Sequence, residues 1–166
     1  MITVDEFMTS DPYTLTEDDS LYDARKVMTE KHIRHIPITD SDTRLLGLVT
    51  QRDVLAATDP VSIQQTKSAP DASDRDIKLS DIMIREVSTI HTTDSLREAA
   101  LYIQSHKYGC LPVVADNCLV GIITDSDFID IAINLLEQVE VIAEEVAIET
   151  ETEIDDVEML AFEETQ

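Results

Sequence analysis

The chain repeats itself. Set against its own sequence at an offset of 75, Met8 meets Met83, Thr14 meets Thr89, Asp19-Ser20-Leu21 meets Asp94-Ser95-Leu96, and Pro37 meets Pro112. The second copy then lacks one residue, and at an offset of 74 Leu45 meets Leu119, Gly47 meets Gly121, Thr50 meets Thr124 and Asp53 meets Asp127. A repeat of this length is a whole folding unit rather than one turn of a solenoid. Any fold for this chain therefore has to be built twice.

Each copy reads in the same order. A short extended piece (Tyr13-Thr14-Leu15; Ser88-Thr89-Ile90) leads to a helix start that Asp19 or Ser20, and likewise Asp94 or Ser95, can cap. Apolar residues then fall at helical spacing: Leu21, Ala24, Val27 and Met28, against Leu96, Ala99, Ala100 and Ile103. Two strand-like runs follow, Ile36-Pro37-Ile38 then Leu45 to Val49, and Leu111 to Ala115 then Leu119 to Ile123, parted by polar turn residues. A second helix begins at Gln51 and at Asp125. The expected fold is α+β, two tandem β-α-β-β-α units: residues 1–57, a polar linker at 58–78 containing Pro60 and Pro70, a second repeat at 79–136, and an acidic helical extension and tail at 137–166.

Charge narrows the partners. A formal net charge of -23, from 35 acidic and 12 basic residues, opposes extended contact with a phosphate backbone, so nucleic acid and anionic membrane surfaces are poor candidates. No apolar run is long enough to span a bilayer and the first twelve residues do not resemble a secretory signal, which places the expected protein in the cytoplasm. Cys110 and Cys118 lack CxxC spacing and the four histidines complete no zinc ligand set, so no metal is expected and both thiols read as reduced.

The motif that carries chemistry is Gly-x-x-Thr-x-x-Asp at the strand-to-helix junction, as Gly47-Leu48-Val49-Thr50-Gln51-Arg52-Asp53 and again as Gly121-Ile122-Ile123-Thr124-Asp125-Ser126-Asp127. Thr at a helix start can turn its hydroxyl toward a phosphate, and an Asp on the first turn can accept from the two hydroxyls of a ribose. Thr followed three residues later by an acid is also a capping box, which needs no ligand. Both readings stand on the residues alone.

With these residues in place the chain resembles the tandem cystathionine-β-synthase (CBS) domain pair over residues 1 to 136. The resemblance rests on Ile36-Pro37-Ile38 and Leu111-Pro112-Val113, on Met8 to Pro12, and on both Gly-x-x-Thr-x-x-Asp junctions. The stretch from Tyr108 through Phe128 looks most like the stand-alone pairs named for acetoin utilisation. The resemblance implies repeats packed pseudo-symmetrically with two clefts for adenosine-type regulatory ligands, AMP, ADP, ATP or S-adenosylmethionine. It assigns Thr50 and Asp53 to one cleft, closed by Thr89, and Thr124 and Asp127 to the other, closed by Thr14; residues around Ile36 and Leu111 would flank the adenine. It also implies a homodimer. Arg52 in the first motif, against Asp125 in the second, favours a phosphate at the first site. Arg34 and His35 are candidate helpers.

The C-terminal end carries a further pattern. Phe128, Ala132, Leu135, Val139, Ile142 and Val146 recur in steps of four and three, a coiled-coil-like stripe that suits either the chain's own core or a partner. Beyond Glu149 the sequence is expected to fray, leaving Met159, Leu160 and Phe162 as an apolar island. No nucleophile with a base and no phosphate-cradling loop is present, so no catalytic residue is assigned. The expected role is a sensor that signals to an unidentified protein partner; the alternative is a ligand-free scaffold acting through its acidic C-terminal helix.

Overall fold

The computed structural model describes residues 1–58 and 71–163, with side chains described outside 71–72 and 148–163. After a 3-10 turn at Val4–Glu6 come β1 (Thr9–Ser10), α1 (Leu21–Lys31), β2 (His35–Thr39), β3 (Leu45–Thr50), α2 (Gln51–Ala57) and α3 (Asp71–Asp74). Then follow α4 (Leu79–Ile82), β4 (Ile90–His91), α5 (Leu96–His106), β5 (Cys110–Ala115), β6 (Cys118–Thr124) and α6 (Asp125–Glu163). The chain divides into two compact units, residues 1–125 and 126–166.

Within the first unit the duplication is visible element by element. Helices α1 and α5 occupy matching positions, and each ends on a left-handed residue, His32 at φ 54 and Lys107 at φ 58. Each leads into an antiparallel hairpin, β2 with β3 and β5 with β6. Ser20 is the cap in the first copy: its Oγ accepts from the Asp23 amide while the Asp23 carboxylate accepts from Ser20. Asp19 instead closes the preceding turn on Thr16. Ser95 holds the same position in α5 without a side-chain cap, and Asp94 accepts from His91 N. The deleted residue falls in the hairpin turn. Asp116 and Asn117, both at positive φ, make a tight two-residue turn in the second copy. The longer first turn is held by Asp40 accepting from the amides of Asp42 and Arg44.

The leading segments are exchanged between repeats. Residues ahead of the first repeat lie on the second: Val4 N donates to Asp94 O, Leu96 N to Ile2 O, and β1 pairs with β6. Those ahead of the second lie on the first: Leu79 N donates to Asp19 O, Leu21 N to Ile77 O, and Leu48 and Ile84 exchange both bonds of an antiparallel bridge. The sheet order β1-β6-β5-β4 is thus echoed in the first repeat by Ile84, β3, β2 and Leu15, the last bridged in parallel to Ile38. Leu79 and Met83 accordingly belong to the core of the first repeat, with Leu21, Ala24, Met28, Ile36, Ile38, Val49 and Val54.

One sequence expectation changes here. The stretch read as linker ends in ordered structure, because α3 brings buried Asp74 to Arg25 at 2.5 Å and Ile77 to Leu79 bond to the first repeat. Residues 59–70 of that stretch lie outside the described residues. The final helix spans Asp125–Glu163. Composition suits a long helix: after Pro112 and Gly121 the sequence contains neither breaker, and Ala, Leu, Glu and Gln are strong helix formers. Met159, Leu160 and Phe162 lie on this helix, and their side chains are outside the description.

Candidate functional site

Thr50 closes β3 and caps α2. Its amide and hydroxyl both donate to Asp53 Oδ2, at 2.8 and 2.6 Å, and Asp53 N donates to Thr50 Oγ1 at 3.3 Å. The capping box is therefore real, and contributes about 0.5–2 kcal/mol to the helix start. It is also ordinary in this chain, since Thr3 with Glu6 and Ser20 with Asp23 form the same device. What distinguishes Thr50 and Asp53 is position. The box uses only one carboxylate oxygen, Oδ2, and both residues line a cleft of about 570 Å³, within the usual range for small-molecule sites of about 300–1,000 Å³.

The cleft lies between the two repeats and inside the first unit. One wall comes from the first repeat, through Arg34, His35, Leu48 and the α2 turn that carries Gln51, Arg52, Asp53 and Leu55. The other comes from the second, through Ile84, the Glu86-Val87-Ser88 segment, the Lys107 to Cys110 loop, and Asp125. The aromatic edge is braced: the Tyr102 and His106 rings stack at 4.0 Å, His106 stacks on Tyr108 at 5.6 Å, and the Tyr102 hydroxyl donates to Ser88 Oγ at 3.0 Å. The lining thus mixes charged side chains of both signs and hydroxyls with the apolar and aromatic surface of Leu48, Leu55, Ile84, Val87 and Tyr108.

The sequence candidates distribute unevenly. Thr50, Arg52 and Asp53 meet on this cleft, and so do Arg34 and His35. Thr89 does not line it: Thr89 is exposed, and the second repeat closes the site through Glu86, Val87 and Ser88, just ahead of it. Ile36 and Leu111, expected beside a base, are 0% and 1% exposed and belong to the strand cores. Their neighbours His35 and Cys110 line the cleft, with Leu48, Leu55, Ile84 and Val87 as its aliphatic residues. Thr14 is exposed beside the Leu15–Ile38 bridge, Thr124 ends β6 opposite Cys110, and Asp127 lies in the first turn of α6.

The motif glycines serve packing. A methyl group on Gly47 would sit 2.8 Å from the Ile84 carbonyl oxygen and 2.9 Å from Met83 Sδ; one on Gly121 would collide with Met8 Sδ. Each glycine thus makes room for the exchanged leading segment of the other repeat. Gly109 does the same for His35, whose Nε2 would lie 2.5 Å from an added methyl.

Burial and charge tune the cleft. His35 is held below its ordinary pKa of 6.5 chiefly by burial, with Arg34 adding to the effect and Asp125 and Asp53 opposing it. Burial, and then the charge of Asp125, push the Cys110 thiol up to about 12, which keeps it protonated. Arg34 Nη2 lies 3.4 Å from Asp125 Oδ1, with both side chains about half exposed, a pair that contributes roughly 0–1 kcal/mol. Asp125, assigned by sequence to the second motif, therefore faces the first cleft. Among the described residues no cluster of His, Cys, Asp and Glu is placed to hold a metal, and no helix is long and apolar enough to cross a membrane.

The sequence matches the CBS domain family over residues 4–60 and 79–134. This chain belongs to the CBS-domain family. Its pair of CBS repeats is similar to the crystal structure of a Vibrio cholerae protein named for acetoin utilization (AcuB), at 46% identity and a TM-score of 0.73, covering 84% of this chain and 98% of that one. CBSX2 in complex with AMP is 28% identical, covering 81% of this chain and 98% of that one, with a TM-score of 0.66. The CBS domain pair of MJ0100, in complex with 5′-methylthioadenosine and S-adenosyl-L-methionine, is 26% identical, covering 78% and 98%, with a TM-score of 0.64. Homoserine O-acetyltransferase of Methanococcus vannielii is 33% identical over 118 residues, 70% of this chain, but the chain spans only 22% of that enzyme's length.

Proposed function

We propose that this CBS pair is a regulatory sensor that binds an adenosine-containing ligand between its repeats and signals its presence to a partner protein. The observation that carries the reading is the cleft of about 570 Å³ on which Thr50, Arg52 and Asp53 of one repeat face the Glu86–Ser88 and Lys107–Cys110 segments of the other. Asp53 Oδ1, outside the capping box, accepts from the ribose hydroxyls; Arg52 addresses the phosphate; the base rests among Leu48, Ile84, Val87 and Tyr108. Complexes of similar CBS pairs with AMP and with S-adenosylmethionine support this ligand class. A ligand touching both repeats favours one relative packing over another, and that shift is the signal.

The second motif, with Thr124, Asp127 and Thr14, is the weaker site, because Ser126 stands where the first motif has Arg52. The chain is non-catalytic and cytoplasmic and works as a homodimer. The exposed apolar side chains of α6, among them Leu136, Val139, Ile142 and Val146, support self-association. They equally favour a second reading, a ligand-free scaffold acting through that helix. A thermal-shift screen separates the two: saturating AMP, ADP, ATP or S-adenosylmethionine adds about 2.7 kcal/mol at 100 times Kd, a rise of several degrees. A response to one of them is expected, and silence to all four favours the scaffold.

A further inference from the structure

The Arg34–Asp125 pair breaks the internal symmetry. By the offsets of 75 and 74, Arg34 corresponds to Gly109 and Asp125 to Gln51. The backbone bonds at these positions are duplicated: Gln51 N donates to Arg34 O at 2.8 Å and Asp125 N to Gly109 O at 3.0 Å. The fold thus joins each helix start to the loop of its own hairpin through the main chain in both repeats. The side-chain pair across the repeats, at 3.4 Å, is an addition made once, and its counterpart, glycine against glutamine, carries no charge.

Position gives that addition a use. Among the described residues, three cations line the cleft, Arg34, Arg52 and Lys107, together with three carboxylates, Asp53, Glu86 and Asp125. Asp53 gives its Oδ2 to the cap of α2. Asp125 instead pairs with a guanidinium on the cleft wall, through an exposed contact at the long end of hydrogen-bond distance. A phosphate carries more charge than a carboxylate and matches the guanidinium fork in two parallel bonds, so it competes well for the same group.

Resting on the adenosine-ligand reading above, we propose that Asp125 and Arg34 form a charge-selective latch: the 5′-phosphate of a nucleotide displaces Asp125 from Arg34, while an uncharged nucleoside leaves the pair closed. Arg34 is then a phosphate-binding residue and Asp125 a specificity residue that opposes anionic ligands. Because Asp125 is the first residue of α6, the exchange also frees the residue at which that helix begins.

Calorimetry with AMP and with adenosine, on the full chain and two variants, tests this. Asp125→Asn removes the competing charge and should tighten AMP roughly fivefold; Arg34→Gln should weaken AMP by a similar factor. Both should leave adenosine unchanged, and melting curves check that each variant is folded. Wild-type protein that binds AMP while Asp125→Asn leaves AMP affinity unaltered, weakens it, or moves adenosine equally overturns the latch and leaves the nucleotide reading standing. Wild-type protein that binds neither ligand overturns both.

Discussion

A methyl group added to Gly47 has nowhere to go, since the nearest atom is a backbone carbonyl oxygen at 2.8 Å. Gly47→Ala should therefore destabilise the protein by about 1–3 kcal/mol in urea denaturation. A neutral result would mean that the exchanged segment yields easily. His35 gives a prediction in pH. Its folded pKa is lowered from 6.5, so the unfolded chain takes up its proton first. Stability is whole above pH 6.5 and falls as pH drops from there toward the lower folded value. Wild type should lose melting temperature between pH 7 and 5.5, and His35→Gln should flatten that loss. Cys110, protonated and buried, should alkylate more slowly than half-exposed Cys118 at pH 7.5, as read by peptide mass spectrometry. At this scale the sequence showed Thr50, Arg52 and Asp53 clearly, because spacing along one turn is local. It hid Ser88, Lys107, Tyr108 and the cleft-facing role of Asp125, which come together only through tertiary packing.

At the scale of elements, the hairpins and helices follow from periodicity and turn chemistry, with Ser20 the cap and the Asp116-Asn117 turn tight because both residues tolerate positive φ. The exchange of leading segments was not legible, since nothing in Leu79-Ser80-Asp81-Ile82 says which sheet it will cover. Leu79 is fully buried in the first repeat although it begins the second. Leu79→Ala should accordingly cost about 2–5 kcal/mol, and hydrogen exchange should quicken in β2 and β3 as well as around residue 79. Exchange confined to the second repeat would contradict the swap.

For the whole molecule, the duplication predicted a doubled fold and the structure supplies one, yet the two copies are unequal where function is concerned. Arg52 against Ser126, and Arg34 against Gly109, give one cleft the cations. The sensor's function requires that this cleft take a nucleotide through Asp53. Asp53→Asn keeps an oxygen that can serve the cap on Thr50 while removing the charge that would hold a ribose diol, so folding and binding can be read apart. Titration calorimetry of AMP into wild type and Asp53→Asn is the direct measurement. The predicted result is binding to wild type and an at least roughly tenfold loss in a variant of unchanged melting temperature; undiminished AMP affinity in Asp53→Asn would contradict it.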